Sequence, residues 1–226
     1  MEGWRNLKMK INIAIDGPSA AGKSTIAKIL AKELGYSHLD TGAMYRCTAL
    51  ASKKRGIDPN DEAALTAMLD EMKISFDPAG NVYLNNEDVS KQIRENEISM
   101  LTSSISAHPK VRERLVALQQ QMARDKGFIM DGRDIGTVVL PDAELKIYMV
   151  ASVKARADRR YKEYLGKHVE ADYDEIYRDI EQRDYQDMNR KTSPLRKAED
   201  AIEIDTSNMT ITEVVEEIRR NIPTLS

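Results

Sequence analysis

Cysteine is nearly absent from this sequence. Cys47 stands alone among 226 residues, which excludes an intrachain disulfide and any zinc site built from several cysteines. Charge of one sign is also missing: 34 basic and 37 acidic side chains leave a formal charge of −3, whereas a phosphate-backbone ligand calls for a basic excess. No stretch approaches the roughly 20 apolar residues of a membrane span. The opening MEGWRNLKMK lacks the apolar segment of a secretory signal. The expectation is a cytoplasmic protein with neither nucleic acid nor membrane as partner. The first ten residues read as a loose extension, and Met9 would serve as a start as well as Met1 does.

The chain is long enough for one domain with insertions. Short apolar runs, INIAID, FIMD, LKIYMV and AIEID, end in acidic or small residues or lead into them, and alternate with helical patterns. Strands buried on both faces, joined by crossover helices, leave this signature, so a doubly wound α/β sheet is predicted. The clearest helix runs from Pro109 to Lys126. Pro109 stands in its first turn, Gly127 follows its end, and Val111, Leu115, Leu118 and Met122 form one stripe. Between about Ile57 and Ser106 the segments KISFD, PAGN and VYLNNEDVS read as an antiparallel hairpin flanked by helices such as DEAALTAMLDEM, an insertion outside the parallel sheet. A second interruption, about Ser152 to Ala198, holds Arg156, Arg159, Arg160, Arg178, Arg183, Arg190 and Arg196, a helical arm suited to covering an anion. Neither internal repeats nor low-complexity tracts occur.

Between the strand INIAID and the helix IAKILAKELG lies GPSAAGKST, residues 17–25. Gly17, Gly22, Lys23 and Ser24 satisfy G-x-x-x-x-G-K-[ST], the pattern of a loop whose N–H groups cradle phosphates at a helix N-terminus. The loop residues Gly17, Pro18, Ser19, Ala20, Ala21, Gly22, Lys23, Ser24 and Thr25 are therefore expected to hold a nucleoside triphosphate. Lys23 would reach the β- and γ-phosphates, and the Ser24 hydroxyl would ligate Mg²⁺.

The same cradle serves GTP switches, but the N-K-x-D reader of guanine is absent, and the one D-x-x-G of note, DPAG at 77–80, falls in the predicted hairpin turn. LDTGAMYR, residues 39–46, opens a helix that Asp40 or Thr41 can cap, with Arg46 placed to face an anion. Together with the cradle, this TG-x-x-x-R segment resembles the nucleoside monophosphate kinase family. MDGRDIGTVVLPDAELKIY, residues 130–148, and RDYQDMNR further on make the chain resemble the bacterial cytidylate kinases from about Ile11 onward.

That resemblance implies one P-loop NTPase-type kinase domain over 11–226, a parallel sheet with helices on both faces. Its core would comprise 11–56, 107–151 and 199–226, with a small α+β acceptor-binding insertion at 57–106 and an arginine-rich helical lid at 152–198 that closes over the nucleotides. It implies ATP with Mg²⁺ as donor, CMP or dCMP as acceptor, and a monomer. Lys23, Arg133, Arg159 and Arg190 would be catalytic. Arg46, Arg133 and Arg190 would bind the acceptor phosphate or the group in transfer, and Arg156 with Arg159 or Arg160 would approach the donor phosphates. Asp131 is placed like the acidic residue that holds Mg²⁺ through water. Cytosine presents an amino donor and two acceptors, so a carboxylate and an arginine would read it; the family pattern puts these roles on Asp134 and Arg112, supported by Thr41 and Ser103. From its position alone, Arg112 reads instead as a solvated charge on the amphipathic helix. Asp187 and Arg183 match the ribose contacts, and adenine would be held by backbone after AIEIDTSN.

An ionised phosphate acceptor needs no general base, so His38, His108 and His168 are expected to be structural or solvated. A kinase with a hydroxyl acceptor, such as shikimate kinase, would need one, and Asp40 or Asp131 could be recruited. That family usually shows D-x-D where Thr41-Gly42 stands here. Thymidylate and adenylate kinases would not carry DGRDIGTVVLPDA, and a nucleotide switch would lack an acceptor pocket.

Overall fold

A computed structural model describes residues 10–77 and 80–223. In chain order the elements are β1 (Ile13–Asp16), α1 (Lys23–Leu34), β2 (Ser37–Asp40), α2 (Thr41–Arg55), α3 (Glu62–Asp70), β3 (Ile74–Phe76), β4 (Val82–Leu84), β5 (Glu87–Asp88), α4 (Asn96–Ile105), α5 (Pro109–Met122), β6 (Phe128–Gly132), β7 (Leu145–Val150), α6 (Val153–Gly166), α7 (Tyr173–Asn189), β8 (Ile202–Asp205) and α8 (Ile211–Arg220). A 3₁₀ turn at Gln92–Arg94 precedes α4, and a π turn at Ile135–Val139 follows β6. The chain forms two compact units, one made of the residues up to Tyr36 and from Lys126 onward, the other of Ser37–Asp125.

In the first unit β6, β1, β7 and β8 lie side by side, all parallel. The central strand β1 sets Ile13 opposite Ile129 on one side and Leu145 on the other. All four of its residues are buried, which is why its sequence shows a continuous apolar run rather than alternation. Ile13, Ile15, Ile129 and Ile147 share one core with Ile26, Leu30, Val214 and Ile218 of α1 and α8. Each such side chain contributes about 1.5–3 kcal/mol by leaving water. The helix α8 is fixed at its start by a capping box between Thr210 and Glu213. A smaller cluster, Ala157, Ile176 and Ile180, joins α6 to α7.

The second unit packs α2–α5 with the antiparallel sheet β3–β4–β5. KISFD and VYLNN do pair as a hairpin, with Ile74 opposite Leu84, and Asp77 closes its turn by accepting from the Asn81 N–H at 2.8 Å. Two of the four residues of DPAG, Pro78 and Ala79, lie outside the described residues, as does most of the opening extension. The helix α5 starts at Pro109 as the sequence predicts but ends at Met122. Its buried face is Val111, Arg112, Leu115 and Gln119, while Leu118 and Met122 are only partly covered. Hydrophobicity alone misplaced that face, because two polar residues occupy it.

The turn from β1 into α1 fixes the position of the cradle. Gly17 has φ +150°, and a Cβ there would overlap the Met149 carbonyl oxygen of β7, whereas Gly22, at φ +93°, has open space around it. Gly17→Ala is therefore expected to cost about 4 kcal/mol or more, at the diagnostic end of single substitutions. Gly22→Ala should cost only about 1–2 kcal/mol, the penalty of left-handed backbone. Thermal denaturation of the two variants compares them directly, and equal losses would refute the close approach as the reason for Gly17.

Candidate active site

The cradle opens where β1 ends. Its glycines let the chain wrap, Ala20 and Gly22 take positive φ (57° and 93°), and α1 begins at Lys23 without a side-chain cap. The uncapped first-turn N–H groups and the helix dipole make this helix start receptive to anions. Lys23 folds back to donate from Nζ to the Pro18 carbonyl at 2.7 Å. The Ser24 hydroxyl donates to Asp131 Oδ2 at 2.7 Å, joining the cradle to the end of β6. That leaves the Ser24 oxygen lone pairs available to a cation, with a carboxylate one hydrogen bond away.

Two buried groups here are strongly shifted. Burial and the neighbouring Arg133 charge push Lys23 down to about 7, against the opposing pull of Asp131, Asp16 and Asp187. Asp16, the last residue of β1, is pushed up to about 6 by burial, although the Gly136 and Ile135 N–H groups stabilise its charged form. Those two N–H groups reach its carboxylate at 2.7 and 2.8 Å, so Asp16 holds the turn that follows Asp134. Gly136 leaves room for this, since a Cβ there would stand 3.4 Å from Asp16 Oδ2 and 3.2 Å from the Lys146 stem.

Beyond Asp131 the charges alternate in sign. Arg133 Nε donates to Asp187 Oδ2 at 2.7 Å, and Arg190 Nη atoms lie 3.9 Å from both Asp187 Oδ1 and Asp134 Oδ1. Burial opposes the ionised form of Asp187, but Arg133, Arg183 and Arg190 outweigh it and hold the carboxyl below its usual range. Arg190 is oriented further by its Nε–H bond to the Ser193 carbonyl at 2.6 Å. On the arm, Arg159 donates to Thr206 and lies 3.4 Å from the Ala21 carbonyl. Arg160 instead stacks on Tyr164 of its own helix, 5.3 Å from the ring centroid.

The second unit carries another pair of arginines. Asp40 caps α2 by accepting from the Ala43 N–H at 2.9 Å and binds Arg46 through its other oxygen at 2.7 Å. Burial works against its charge, yet Arg46, the Ala43 N–H and His38 keep it below the ordinary carboxylate range. Gly42 gives this fold-back room, since a Cβ would crowd Arg46 Nη1 at 3.0 Å and Asp40 Oδ1 at 3.1 Å. Arg112 is buried, with 3% of its surface exposed, contrary to a solvated charge. Its guanidinium lies over the Tyr45 ring at 5.3 Å and donates to the Ser106 carbonyl at 3.3 Å.

Known proteins resemble this chain in sequence and fold. The sequence model of the family described as Cytidylate kinase matches residues 13–224. The chain belongs to the cytidylate kinase family. It is 51% identical over 213 residues to a protein named Cytidylate kinase of Streptococcus pneumoniae (strain Hungary19A-6), covering 92% of this chain and 96% of that one. The protein of the same name from strain 70585 gives the same figures. A solved structure of an uncharacterized protein from Eubacterium ventriosum ATCC 27560 shares the fold, with a TM-score of 0.52 at 13% identity, covering 94% of this chain and 98% of that one.

In this cytidylate kinase family member the first unit brings Lys23, Ser24, Asp131, Arg133, Asp134, Asp187 and Arg190 together, with the half-buried Arg183 close enough to Asp187 for its charge to be felt. Arg156 and Arg159 reach the cradle at Ser19 and Ala21, Arg160 is engaged away from it, and Thr25 is exposed. In the second unit Thr41 is buried at the start of α2, while Ser103 is exposed on α4 and its carbonyl accepts from Ser106. Sequence reasoning missed Asp16, Asp184 and Tyr45. Asp184 had a signal, an acid three residues before Asp187 on one helix, and Tyr45 stood beside Arg46. Asp16 reads as an ordinary strand end.

Lys23 titrates near 7 in the fold and near 10.5 in the unfolded chain. Between these values the unfolded chain binds the extra proton, so stability rises with pH, and below the lower value the full penalty applies. Lys23→Met is expected to raise Tm by a few degrees near neutral pH and to flatten the rise of Tm with pH in the alkaline window. Parallel pH series of melting curves for the two proteins check this, and a lower Tm for the variant contradicts it.

Proposed function

We propose that the protein transfers the γ-phosphoryl group of ATP in line to CMP and dCMP, giving ADP with CDP or dCDP. The observation that carries this reading is the storage of like charge: Lys23 is buried close enough to Arg133 that the guanidinium charge opposes its proton. Cations kept together at such a cost suit a polyanion that neutralises both, and two phosphate chains must meet for this reaction.

Lys23 and the cradle N–H groups grip the β- and γ-phosphates, while Arg133 and Arg190 bind the acceptor phosphate and the group in transfer. Arg46 adds a further fork to the acceptor phosphate. The forked donors of arginine suit the oxygens of both. The pairing of Ser24 with Asp131 fits Mg²⁺, with the hydroxyl as direct ligand and the carboxylate reached through water. When bound, the ion supplies charge neutralisation at the β- and γ-oxygens. The acceptor phosphate monoester has a second pKa of about 6, so it arrives ionised and no residue need remove a proton. Asp40 is a poor base in any case, with one oxygen on the Ala43 N–H and the other on Arg46. This disfavours a hydroxyl acceptor.

Asp134 accepts from the cytosine amino group and Arg112 donates to the ring nitrogen and carbonyl, helped by Thr41 and Ser103, while Arg183 and Asp187 serve the ribose. A guanidinium stacked on Tyr45 cannot turn to serve uracil, whose ring N–H and second carbonyl would leave both partners mismatched. Residues 57–106 belong to the acceptor side, and 152–198 cover the nucleotides. A coupled ADP-release assay with ATP, Mg²⁺ and CMP, dCMP, UMP, AMP or shikimate tests the reading. CMP and dCMP are expected to be turned over at least about tenfold better than UMP, and equal rates would refute base reading by Asp134 and Arg112. Arg112→Met should spoil use of CMP while leaving ATP affinity nearly intact, as titration with each nucleotide would reveal.

A further inference from the structure

The α6–α7 hairpin touches the cradle at three successive residues. Arg156 Nη1 donates to the Ser19 carbonyl at 3.2 Å, Ala20 packs against the Ala157–Ile176–Ile180 cluster, and Arg159 Nη1 lies 3.4 Å from the Ala21 carbonyl. The loop needs such support. Ala20 has φ +57°, which a residue with a Cβ adopts reluctantly, so the conformation must be imposed from outside the loop.

Arg156 is itself tightly held. Its Nε donates to the Ala151 carbonyl at 2.9 Å, and both Nη atoms donate to the Asp184 carboxylate, at 2.9 and 2.5 Å. The side chains are 4% and 14% exposed. With the Ser19 bond, four of the five guanidinium N–H bonds are directed at protein oxygens. Arg156 thus has little left for a phosphate and is arranged to act through the loop. A trans peptide sets its C=O and N–H on opposite sides, and the chain contains no cis bond among the described residues. Pulling the Ser19 carbonyl toward Arg156 therefore turns the Ala20 N–H away from Arg156 and so fixes the direction in which it can donate.

We infer that Asp184 is a positioning residue for the donor nucleotide: it locks the Arg156 guanidinium against the Ser19 carbonyl and thereby fixes the loop N–H groups that receive phosphate. The inference rests on the cradle being the ATP site and is independent of which acceptor is used. Removing the Asp184 charge leaves Arg156 buried without its counter-ion, free to swing off Ser19 or to drag the loop with it.

The test is direct binding of a fluorescent ATP analogue and of CMP to wild type, Asp184→Asn and Asp184→Glu, with melting curves and hydrogen exchange on the nucleotide-free proteins. Asp184→Asn is expected to weaken the ATP analogue about tenfold, leave CMP within about twofold, and speed exchange at residues 19–22. Asp184→Glu keeps the charge but displaces it by one methylene, so a loss of about threefold for the ATP analogue alone is expected. It carries the test if the amide variant does not fold. A lowered Tm with unchanged ATP affinity would reduce Asp184 to a structural clamp and overturn the inference, as would equal losses for both nucleotides. Failure of the wild type to phosphorylate CMP would sink the proposed function and leave this binding comparison standing.

Discussion

Positive charge held out of water is the constraint on which the rest of this structure depends. Buried Lys23 feels the charge of the partly covered Arg133, and a ring of carboxylates at Asp16, Asp131 and Asp187 opposes that repulsion. None of the three is a full counter-ion to Lys23. Asp131 accepts from Ser24, Asp187 is committed to Arg133, and Asp16 to two backbone N–H groups. The site is thus stable enough to fold yet leaves Lys23 with no dedicated carboxylate partner, its Nζ donating to the Pro18 carbonyl. Stability surrendered at a site of this kind is recovered elsewhere, here in the apolar core around β1.

Geometry follows from that electrostatic demand. The cradle loop lies closer to the sheet than a side chain would permit, and Gly17 against Met149 is where the close approach happens. The same economy of atoms appears in the second unit, where Gly42 makes room for Arg46 to fold onto Asp40. At Gly17 the glycine is needed because a backbone carbonyl occupies the space of its missing Cβ, whereas at Gly42 only side-chain ends crowd that space. Gly22 differs, since nothing crowds it and its backbone conformation alone explains it.

Much of this was legible in the sequence, for reasons that can be stated residue by residue. INIAID, FIMD and LKIYMV became β1, β6 and β7 because strands covered on both faces must be largely apolar, whereas AIEID became β8, whose Glu203 and Asp205 face solvent. The cradle was legible because its pattern encodes backbone geometry directly. What sequence could not supply was partnership between distant side chains. Arg112 looked solvated, since nothing local announces that Tyr45, far away in the chain, lies under its guanidinium. Asp16 looked like any strand end, because the turn whose N–H groups it holds begins more than a hundred residues later. Patterns report the local backbone, and charge partners are set by the tertiary fold.

One regularity among those partners bears on turnover. The arginines proposed to bind phosphate do not stand alone: Arg46 is paired with Asp40 and Arg133 with Asp187, each at 2.7 Å. A carboxylate in that position fixes the fork before ligand arrives, which lowers the ordering cost of binding. It also competes with phosphate for the same N–H groups, so part of the attraction is already spent. An enzyme that must release a nucleoside diphosphate more highly charged than its acceptor gains from this moderation, since arginines without such partners would hold the product most tightly of all. Orientation and restraint therefore come from the same acidic side chains, and the alternation of sign along Arg133, Asp187, Arg190 and Asp134 is the form that this compromise takes.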